Sequence, residues 1–447
     1  MRPLMLITGP VATRSGYGSH SRDLVRALVA MDKFDIHINS LRWGNTPMNA
    51  LNEKNPKDKV ILDRILKDNS LPKQPDVHIQ ISVPNEFSPL AKYNIGITAG
   101  IENTAPKPEW IEGLNRMDMN IVPSKFVKQV FESVTYEKMD ENREQKVGEV
   151  KLQKPMEVLF EGADTEIYKK TKNFSKEFVD EMNKIPEKFL FLYSGHWLQG
   201  GLGDDRKDTG MLVKTFLETF KNKPNSVALL MKTSGATFSI IDRNEIKEKI
   251  KDIKTTVSGK LPNIYFLHGD MTDEEMNELY NHPKVKVHIT FTHGEGFGRP
   301  LLEASLSEKP IIASDWSGHK DFLNKNNAVL LPGTMTKVSK SSFPDEMYVD
   351  EAHWFTINYQ YASQVMVDIY KKYRKYSLGS KKLGIFNRVN FSMNKMTQIF
   401  EKILDDYLPK FEEQPQAVNL KLPKLKKVGS VSDSPKIKLP KLKKVKK

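Results

Sequence analysis

Short apolar runs alternate with segments of helical periodicity along most of the chain, and this alternation limits the fold more than any other feature. Leu4–Thr8 is an apolar run, and Ser21–Met31 follows it with apolar residues at helical spacing. Further strand-like runs are Val77–Val83, Tyr93–Thr98 and Met119–Val122. Strands separated by helices predict parallel sheets built from βαβ units, and therefore an α/β fold.

A second series of the same kind begins at Phe189–Tyr193 and continues with a helix predicted over Thr209–Phe220. Its later strand-like runs are Val227–Met231, Ile264–Leu267, Val285–Phe291 and Pro310–Ala313. Two successive doubly wound units predict a two-domain α/β architecture, in which ligands bind at the carboxyl ends of the strands. We place the first domain at residues 1–165 and the second at 186–389. A helical segment at about 390–411, with helical spacing over Met396–Phe411, completes the first domain.

The formal net charge of +13 is concentrated at the C-terminal end of the 447 residues. Residues 418–447 hold 11 Lys and one Asp, which leaves 58 of the 69 Lys and Arg against 55 of the 56 Asp and Glu. Lysines and prolines without acidic balance predict a disordered basic tail over 412–447. Its partner would be a polyanion, either DNA or an anionic membrane surface or an acidic protein, unless the tail is only a solubilising extension.

The composition excludes several classes of protein. The chain has no cysteine, which rules out disulfides, thiolate metal sites and thiol catalysis. No apolar run is long enough to cross a membrane, and the first residues lack a signal-peptide pattern. We therefore expect a cytoplasmic protein without a transmembrane segment.

A glycine-containing loop, Gly9–Ser19, joins the first predicted strand to the first predicted helix. Its glycines would let backbone N–H groups approach an anion at the helix N-terminus. The loop lacks the lysine of a P-loop and the third glycine of a dinucleotide fingerprint. It is either a plain turn or a phosphate and acceptor loop, for which the candidate residues are Arg14, Gly16, Tyr17 and Gly18.

A second loop follows the strand-like run Val285–Phe291 and carries more information. Gly294, Gly296 and Gly298 alternate with other residues, and Pro300 suits the first turn of a helix. Such a loop forms an anion-binding nest. Glu295 and Glu303 flank it, and both carboxylates can accept hydrogen bonds from hydroxyls, unless one is only a helix cap and the other a solvated side chain. A phosphate site between two hydroxyl acceptors predicts a nucleotide sugar as the ligand.

The stretch Glu295–Ala304, with the sequence EGFGRPLLEA, resembles the E-x7-E signature of retaining glycosyltransferases of family 4 (group 1) type. The resemblance implies the GT-B fold, in which two Rossmann-like doubly wound domains face each other across a cleft. The likeness is collinear over about residues 4–411 and extends to phage-encoded members. Further similar segments are Val122–Val127, Gly162–Thr165, Arg206–Val213, Asp273–Tyr280 and Lys309–Gly318.

The resemblance implies roles for individual residues. The catalytic group would be Glu295, Lys207 and Glu102. Glu303 would bind the donor ribose, Glu295 the transferred sugar, and Lys207 the diphosphate. The donor-binding group would be Glu303, Arg206, Lys207, Gly294, Gly296, Phe297, Gly298, Lys232 and His196.

Three positions leave a choice open. His196 stands where the family commonly has Arg, so that Arg206 would compensate or phosphate binding would be weaker. Glu102 stands where many members have His, and it either orients the acceptor hydroxyl or forms a surface salt bridge. Lys232 either contacts the donor or is a solvated lysine at a strand end.

The resemblance implies a retaining, metal-independent enzyme with a nucleotide-diphosphate sugar as co-substrate and no prosthetic group. The spacings of His288, His293 and His319 match no common metal site, which favours structural roles for them. The acceptor would be a hydroxymethylated or otherwise modified DNA base, since similar phage enzymes modify DNA and the lysine tail suits that acceptor. The alternatives are a cell-surface polysaccharide or glycolipid acceptor, and a non-catalytic binding protein that acts through its tail.

Overall fold

The structure is a computed structural model, and it describes residues 2–68, 70–139, 145–223, 226–235, 237–342 and 349–411. Residues Arg2–Pro409 form one compact unit. The predicted tail at 412–447 lies outside the described residues. Among the helices of the described part, none is long and apolar enough to span a membrane.

The first half of the unit is built on a six-stranded parallel sheet. Its strands and helices are β1 (Leu4–Gly9), α1 (Gly16–Met31), β2 (Asp35–Ser40), α2 (Pro56–Leu62), β3 (Val77–Ile81), β4 (Tyr93–Ile97), α3 (Pro108–Arg116), β5 (Met119–Val122), α4 (Lys125–Ser133), β6 (Thr135–Met139), β7 (Lys146–Lys151) and β8 (Met156–Val158). The strand order in the sheet is β2-β1-β3-β4-β5-β8, and β6 and β7 form a separate antiparallel hairpin.

The second half contains another six-stranded parallel sheet. Its elements are α5 (Lys176–Asn183), β9 (Leu190–Ser194), α6 (Thr209–Phe220), β10 (Ala228–Lys232), α7 (Ile240–Thr255), β11 (Asn263–Leu267), α8 (Asp273–Asn281), β12 (Val285–Ile289), α9 (Arg299–Ser305), β13 (Ile311–Ser314), β14 (Val329–Leu331), β15 (Gly333–Lys337), β16 (His353–Ile357), α10 (Tyr359–Lys371), α11 (Tyr373–Asn390) and α12 (Met393–Tyr407). The sheet order is β11-β10-β9-β12-β13-β14, and β15 pairs with β16 in an antiparallel ribbon.

The strands of both sheets are covered by helices, which explains their almost continuous apolar sequences. The core of the second half packs Phe191 of β9, Phe216 of α6 and Met231 of β10, all fully buried. The core of the first half packs Ile111 of α3 against Phe131 of α4. The prediction of an α/β fold with two Rossmann-like parallel sheets is confirmed.

Most of the predicted strands and helices are present at the predicted positions, and several of their ends differ. The helix Thr209–Phe220 has the predicted bounds. The first helix begins at Gly16 rather than Ser21, because the Ser15 hydroxyl caps it by accepting a hydrogen bond from the Gly18 N–H. The strand at Val285 ends at Ile289, and the last helix ends at Tyr407 because Pro409 disfavours helical geometry at the preceding residue.

The last helix, α12, returns to the first half of the unit. The Lys33 ammonium forms ion pairs with Glu401 and Asp405 of α12, at 2.9 and 2.8 Å. The Tyr407 hydroxyl donates to Glu157 in β8 at 2.7 Å. The predicted domain boundaries themselves remain predictions.

Candidate functional site

Several predicted site residues meet at the carboxyl edge of the second sheet, where the strand order reverses. Strands β9 and β12 are neighbours there, although the chain leaves them toward opposite sides of the sheet. His196 follows β9, Lys207 precedes α6, and Glu295 follows β12. Such a reversal point leaves a crevice at the strand ends, which is the usual binding position in open α/β sheets.

Lys207 and Glu295 form the central ion pair of this crevice. The Lys207 Nζ lies 2.5 Å from the Glu295 Oε1, and both side chains are largely buried. Burial acts to raise the pKa of Glu295, but the charges of Lys207 and then Arg206 outweigh it and hold that pKa at about 2. Glu295 is therefore a carboxylate at neutral pH. Burial, opposed by Glu295, lowers the pKa of Lys207.

Arg206 joins this pair to the first half of the unit. One guanidinium nitrogen, Nη1, lies 3.1 Å from the Glu102 Oε1 and 3.7 Å from the Glu295 Oε2. The same nitrogen donates to the Gly294 carbonyl at 3.1 Å. Glu102 is thus a partly buried, ion-paired carboxylate that faces the same crevice as Glu295.

The loop between β12 and α9 lies against the first half of the unit along its glycines. A Cβ on Gly294 would overlap the Glu102 carbonyl, and a Cβ on Gly296 would overlap the Ala99 carbonyl. These glycines therefore permit close approach of two backbones. The Ser124 hydroxyl donates to the Gly296 carbonyl at 2.6 Å while it accepts from the N–H of Val127, so that it also caps α4.

The end of the same loop starts helix α9. Gly298 has a φ of +97°, which a residue with a side chain rarely adopts, and Pro300 occupies the first turn as predicted. The Phe297 side chain is buried against Phe322 and Phe391. Phe297 thus contributes packing that fixes the loop.

Glu303 lies on α9 in a buried cluster of charged groups. The Arg299 Nε donates to the Glu303 Oε1 at 2.7 Å, and the Arg299 Nη1 forms an ion pair with Asp23 of α1. Burial raises the pKa of Glu303 to about 7, against the opposing charge of Arg299. Burial likewise raises the pKa of Glu161 to about 7. Sequence reasoning missed Arg299, Asp23 and Glu161, since their spacing along the chain gives no sign of contact.

His196 and Lys232 line the side of the crevice next to β10. The His196 Nδ1 lies 3.2 Å from the Ser234 hydroxyl. Desolvation, with the charges of Lys207, Arg206 and Lys232, lowers the pKa of His196 to about 4, so the imidazole is neutral at pH 7. The Lys232 Nζ donates to the Gly269 carbonyl at 2.7 Å, and burial lowers its pKa.

The loop Gly9–Ser19, which joins β1 to α1, contributes an ion pair across the crevice. The Arg14 Nη1 lies 2.6 Å from the Asp270 carboxylate. The Tyr17 hydroxyl accepts from the N–H of Ala99 at 3.0 Å, and its ring stacks on Trp43. The Gly18 N–H is engaged by the helix cap, and a Cβ on Gly18 would overlap the loop backbone, whereas Gly16 faces open space.

The three histidines make structural contacts. The His293 Nδ1 lies 2.8 Å from the Phe355 carbonyl, and its ring stacks on Trp354. The His319 Nε2 lies 2.7 Å from the Ser314 carbonyl, and the His288 Nε2 lies 3.4 Å from the Ser307 hydroxyl. Within the part of the chain that the structure describes, no group of three or more His, Asp or Glu is placed to hold a metal ion.

Comparison with protein families found a match over part of the chain. Residues 218–341, which include both Glu295 and Glu303, match the family model described as Glycosyl transferases group 1. A comparison with curated proteins found no match.

Three solved structures illustrate the likeness in fold. Anabaena Alr3699/HepE, solved in complex with UDP and glucose, is 12% identical, with a TM-score of 0.57 over 91% of this chain and 100% of that one. A sucrose-phosphate synthase from Thermosynechococcus elongatus is 12% identical, with a TM-score of 0.58 over 91% and 99%. A glycosyltransferase from Rickettsia africae is 16% identical, with a TM-score of 0.56 over 91% and 98%. At these identities the likeness shows the fold, which is of the GT-B type with two Rossmann-like domains.

Proposed function

We propose that this protein is a glycosyltransferase that moves a sugar from a nucleotide-diphosphate sugar to an acceptor hydroxyl. The observation that carries the proposal is the placement of Lys207 and Arg206 beside Glu295, at the reversal point of the second sheet. The match of residues 218–341 to group 1 glycosyltransferases agrees with it, as does the UDP in the Anabaena complex.

The chemistry of the leaving group explains why fixed cations are needed. When the bond from the sugar C1 to the diphosphate breaks, negative charge develops on the phosphate oxygens. Preorganised cations in a largely buried site stabilise that charge far better than water does. Lys207 and Arg206 would supply it, with Glu295 holding the ammonium in place and accepting from hydroxyls of the transferred sugar. Glu303, on the next helix, would accept from the ribose hydroxyls.

We further propose that the reaction retains the anomeric configuration and needs no metal. The acceptor oxygen would form its bond to C1 on the face that the diphosphate leaves, and the departing phosphate oxygen would take the acceptor proton. The cations Lys207 and Arg206 would then do the work that a metal ion does elsewhere. Glu102, on the opposite side of the crevice, would orient the acceptor hydroxyl.

We propose two candidate acceptors. A hydroxymethylated or otherwise modified DNA base rests on the resemblance to phage-encoded members and on the lysine-rich segment 418–447. A polysaccharide or glycolipid is the second candidate. Helix α11 (Tyr373–Asn390) exposes Leu378, Ile385 and Val389 to solvent, and it contains no Asp or Glu, which would suit an enzyme that works at a membrane.

A donor screen tests the proposal. The protein is incubated with UDP-, GDP- and ADP-sugars, with or without hydroxymethylated duplex DNA or a lipid acceptor, and products are measured by mass spectrometry. Lys207→Met should lower turnover by about 10²-fold or more. Lys251→Met, at an exposed ion pair with Glu248 on α7, is the matched control and should leave turnover unchanged.

Two further readouts separate the finer claims. The anomeric configuration of the product, measured by NMR, decides retention, and an unchanged rate in a chelator decides metal independence. If no donor in the panel is bound or turned over, the catalytic proposal is wrong and a binding role takes its place.

A further inference from the structure

Helix α11 presents a face on which exposed apolar side chains lie among cationic ones. Eight of its residues are exposed to solvent, and they define what we call the α11 face: Arg374, Lys375, Leu378, Lys381, Lys382, Ile385, Phe386 and Val389. Half of these are apolar and half are cationic. The helix contains no Asp or Glu at all.

Four apolar residues of α11 are exposed and only Leu383 is buried, although a helix on a globular protein usually turns its apolar residues inward. Leu378, Ile385 and Val389 are 65%, 58% and 66% exposed. The inward side consists largely of small and polar residues. Gly384 packs closely on the Ser305 carbonyl of α9, and the buried Asn387 donates to the Ser305 hydroxyl at 2.8 Å. The helix is therefore docked mainly through small and polar residues. Phe386 contacts Phe391, with ring centroids 6.2 Å apart, while Leu378, Ile385 and Val389 are more than half exposed.

The apolar residues of the α11 face form a stripe that is flanked by cationic residues. At about 100° per residue, Leu378, Ile385 and Val389 fall within about 40° of one another and form a stripe along the helix. Arg374 and Lys381 then lie on one side of the stripe, and Lys375 and Lys382 lie on the other. Four of the thirteen large apolar side chains that are exposed in the described chain lie on this helix. Clustering of this kind marks an interaction site, whereas scattered apolar side chains do not.

The charges decide which partner fits. A second copy of the chain would bring two cationic faces together, and the lysine-rich segment 418–447 carries the same sign of charge. A nucleic acid would pair with the cations but would leave the apolar stripe exposed. An anionic lipid surface satisfies both parts, because apolar side chains enter the boundary of the acyl chains while lysine and arginine side chains reach the headgroups.

We propose that the α11 face binds the anionic phospholipid surface of a membrane, with α11 lying in the plane of the interface. The 18-residue helix would contact lipid along about 27 Å. The proposal does not rest on the proposed catalytic activity, since each of its observations concerns the outer side of α11. If both hold, the enzyme works on acceptors at a membrane.

A site-specific fluorescent label tests the proposal in the full-length protein. Because the chain contains no cysteine, Phe386→Cys gives one attachment site for an environment-sensitive dye. Ile241→Cys provides the matched control on α7, at a position that is 72% exposed. With vesicles that contain phosphatidylglycerol, the dye at position 386 should shift to the blue and the dye at 241 should not. Vesicles of phosphatidylcholine alone should give a much smaller shift at 386.

A binding measurement completes the test. The double variant Ile385→Ser with Val389→Ser should bind anionic vesicles about tenfold more weakly or worse, because two apolar side chains are lost from the interface. Ile240→Ser with Ile241→Ser should bind as the parent does. Both pairs are exposed, so neither change disturbs the core.

Three results would overturn the proposal. The dye at 386 could respond to vesicles no more than the dye at 241, which would assign any binding to the lysine-rich segment. It could respond to duplex DNA and not to lipid. The parent could also be a dimer in light scattering that Ile385→Ser with Val389→Ser turns into a monomer, which would make the face a contact between copies.

Discussion

Replacing Lys207 by methionine keeps the length of the side chain and removes its charge. In the parent, the pKa of Glu295 falls from its ordinary 4.5 to about 2, which corresponds to about 3 kcal/mol of stability at neutral pH. This contribution is complete above pH 4.5 and is lost as the pH falls toward 2. Burial lowers the pKa of Lys207, which offsets part of the gain. We therefore expect Lys207→Met to lower the free energy of unfolding by about 2 to 3 kcal/mol, because Glu295 keeps only the more distant Arg206.

A double-mutant cycle in urea isolates this interaction. Lys207→Met and Glu295→Gln should each destabilise the protein, and the double variant should be more stable than the sum of the two losses predicts, by about 1 kcal/mol or more. Transfer activity should be lost in all three variants, because each lacks at least one of the two charged groups proposed to contact the donor. Recovery of stability in the double variant should therefore not restore activity. If the two losses simply add, the two charges do not interact and the reasoning from the ion pair is wrong. Lys251→Met again serves as the control for the loss of an exposed lysine.

Three further predictions concern the rest of the site. Gly18→Ala should lower the free energy of unfolding by about 1 to 3 kcal/mol, because the added Cβ would overlap a carbonyl of the same loop. Gly16→Ala should leave stability unchanged, because the added Cβ would lie in open space, and equal urea midpoints for the two variants would contradict this reasoning. The pKa of Glu303 is raised to about 7, so the folded protein binds this proton more tightly than the unfolded chain does. The free energy of unfolding should therefore fall by up to about 3 kcal/mol as the pH rises from about 4.5 to 7. Glu303→Gln should reduce this pH dependence in thermal melts, and an unchanged pH dependence would contradict the raised pKa. Arg14→Ala removes a half-exposed ion pair with Asp270 and should change stability by less than about 1 kcal/mol, an effect that high salt should abolish; a larger loss that salt leaves intact would show that the pair is not a surface one.

Local features of the sequence were sufficient for much of the fold. Serine is a common helix N-cap, and the Ser124 hydroxyl at the start of α4 accepts from the N–H of Val127. The segment Thr209–Phe220 has its helical bounds because its apolar spacing is regular. The two series of alternating strands and helices led to two parallel sheets, since βαβ units leave few other topologies.

Features that depend on contact between distant segments could not be predicted in this way. Arg299 contacts Asp23 although 276 residues separate them. Gly294 and Gly296 were explained from the sequence by exposure of backbone N–H groups, and the structure adds a second cause, the close approach of carbonyls from the other half. The outward apolar stripe of α11 was also missed, because periodicity shows that a helix has an apolar side and not which way that side faces.

The return of helix α12 to the first half has a consequence for how the crevice can open. The chain crosses between the halves twice, and the crossings lie side by side: the N–H of Ala163 donates to the Phe391 carbonyl, and the N–H of Met393 donates to the Ala163 carbonyl, both at 2.9 Å. Two covalent crossings at one place act as a pivot, so that the halves can rotate about it but cannot slide apart. The contacts between the halves that rotation would part include the ion pair of Arg206 with Glu102, at 3.1 Å, and the aromatic pair of Phe126 with Trp316, whose ring centroids lie 4.7 Å apart. Rotation about the crossings would separate these contacts while the strands and helices that form the core of each sheet stay together.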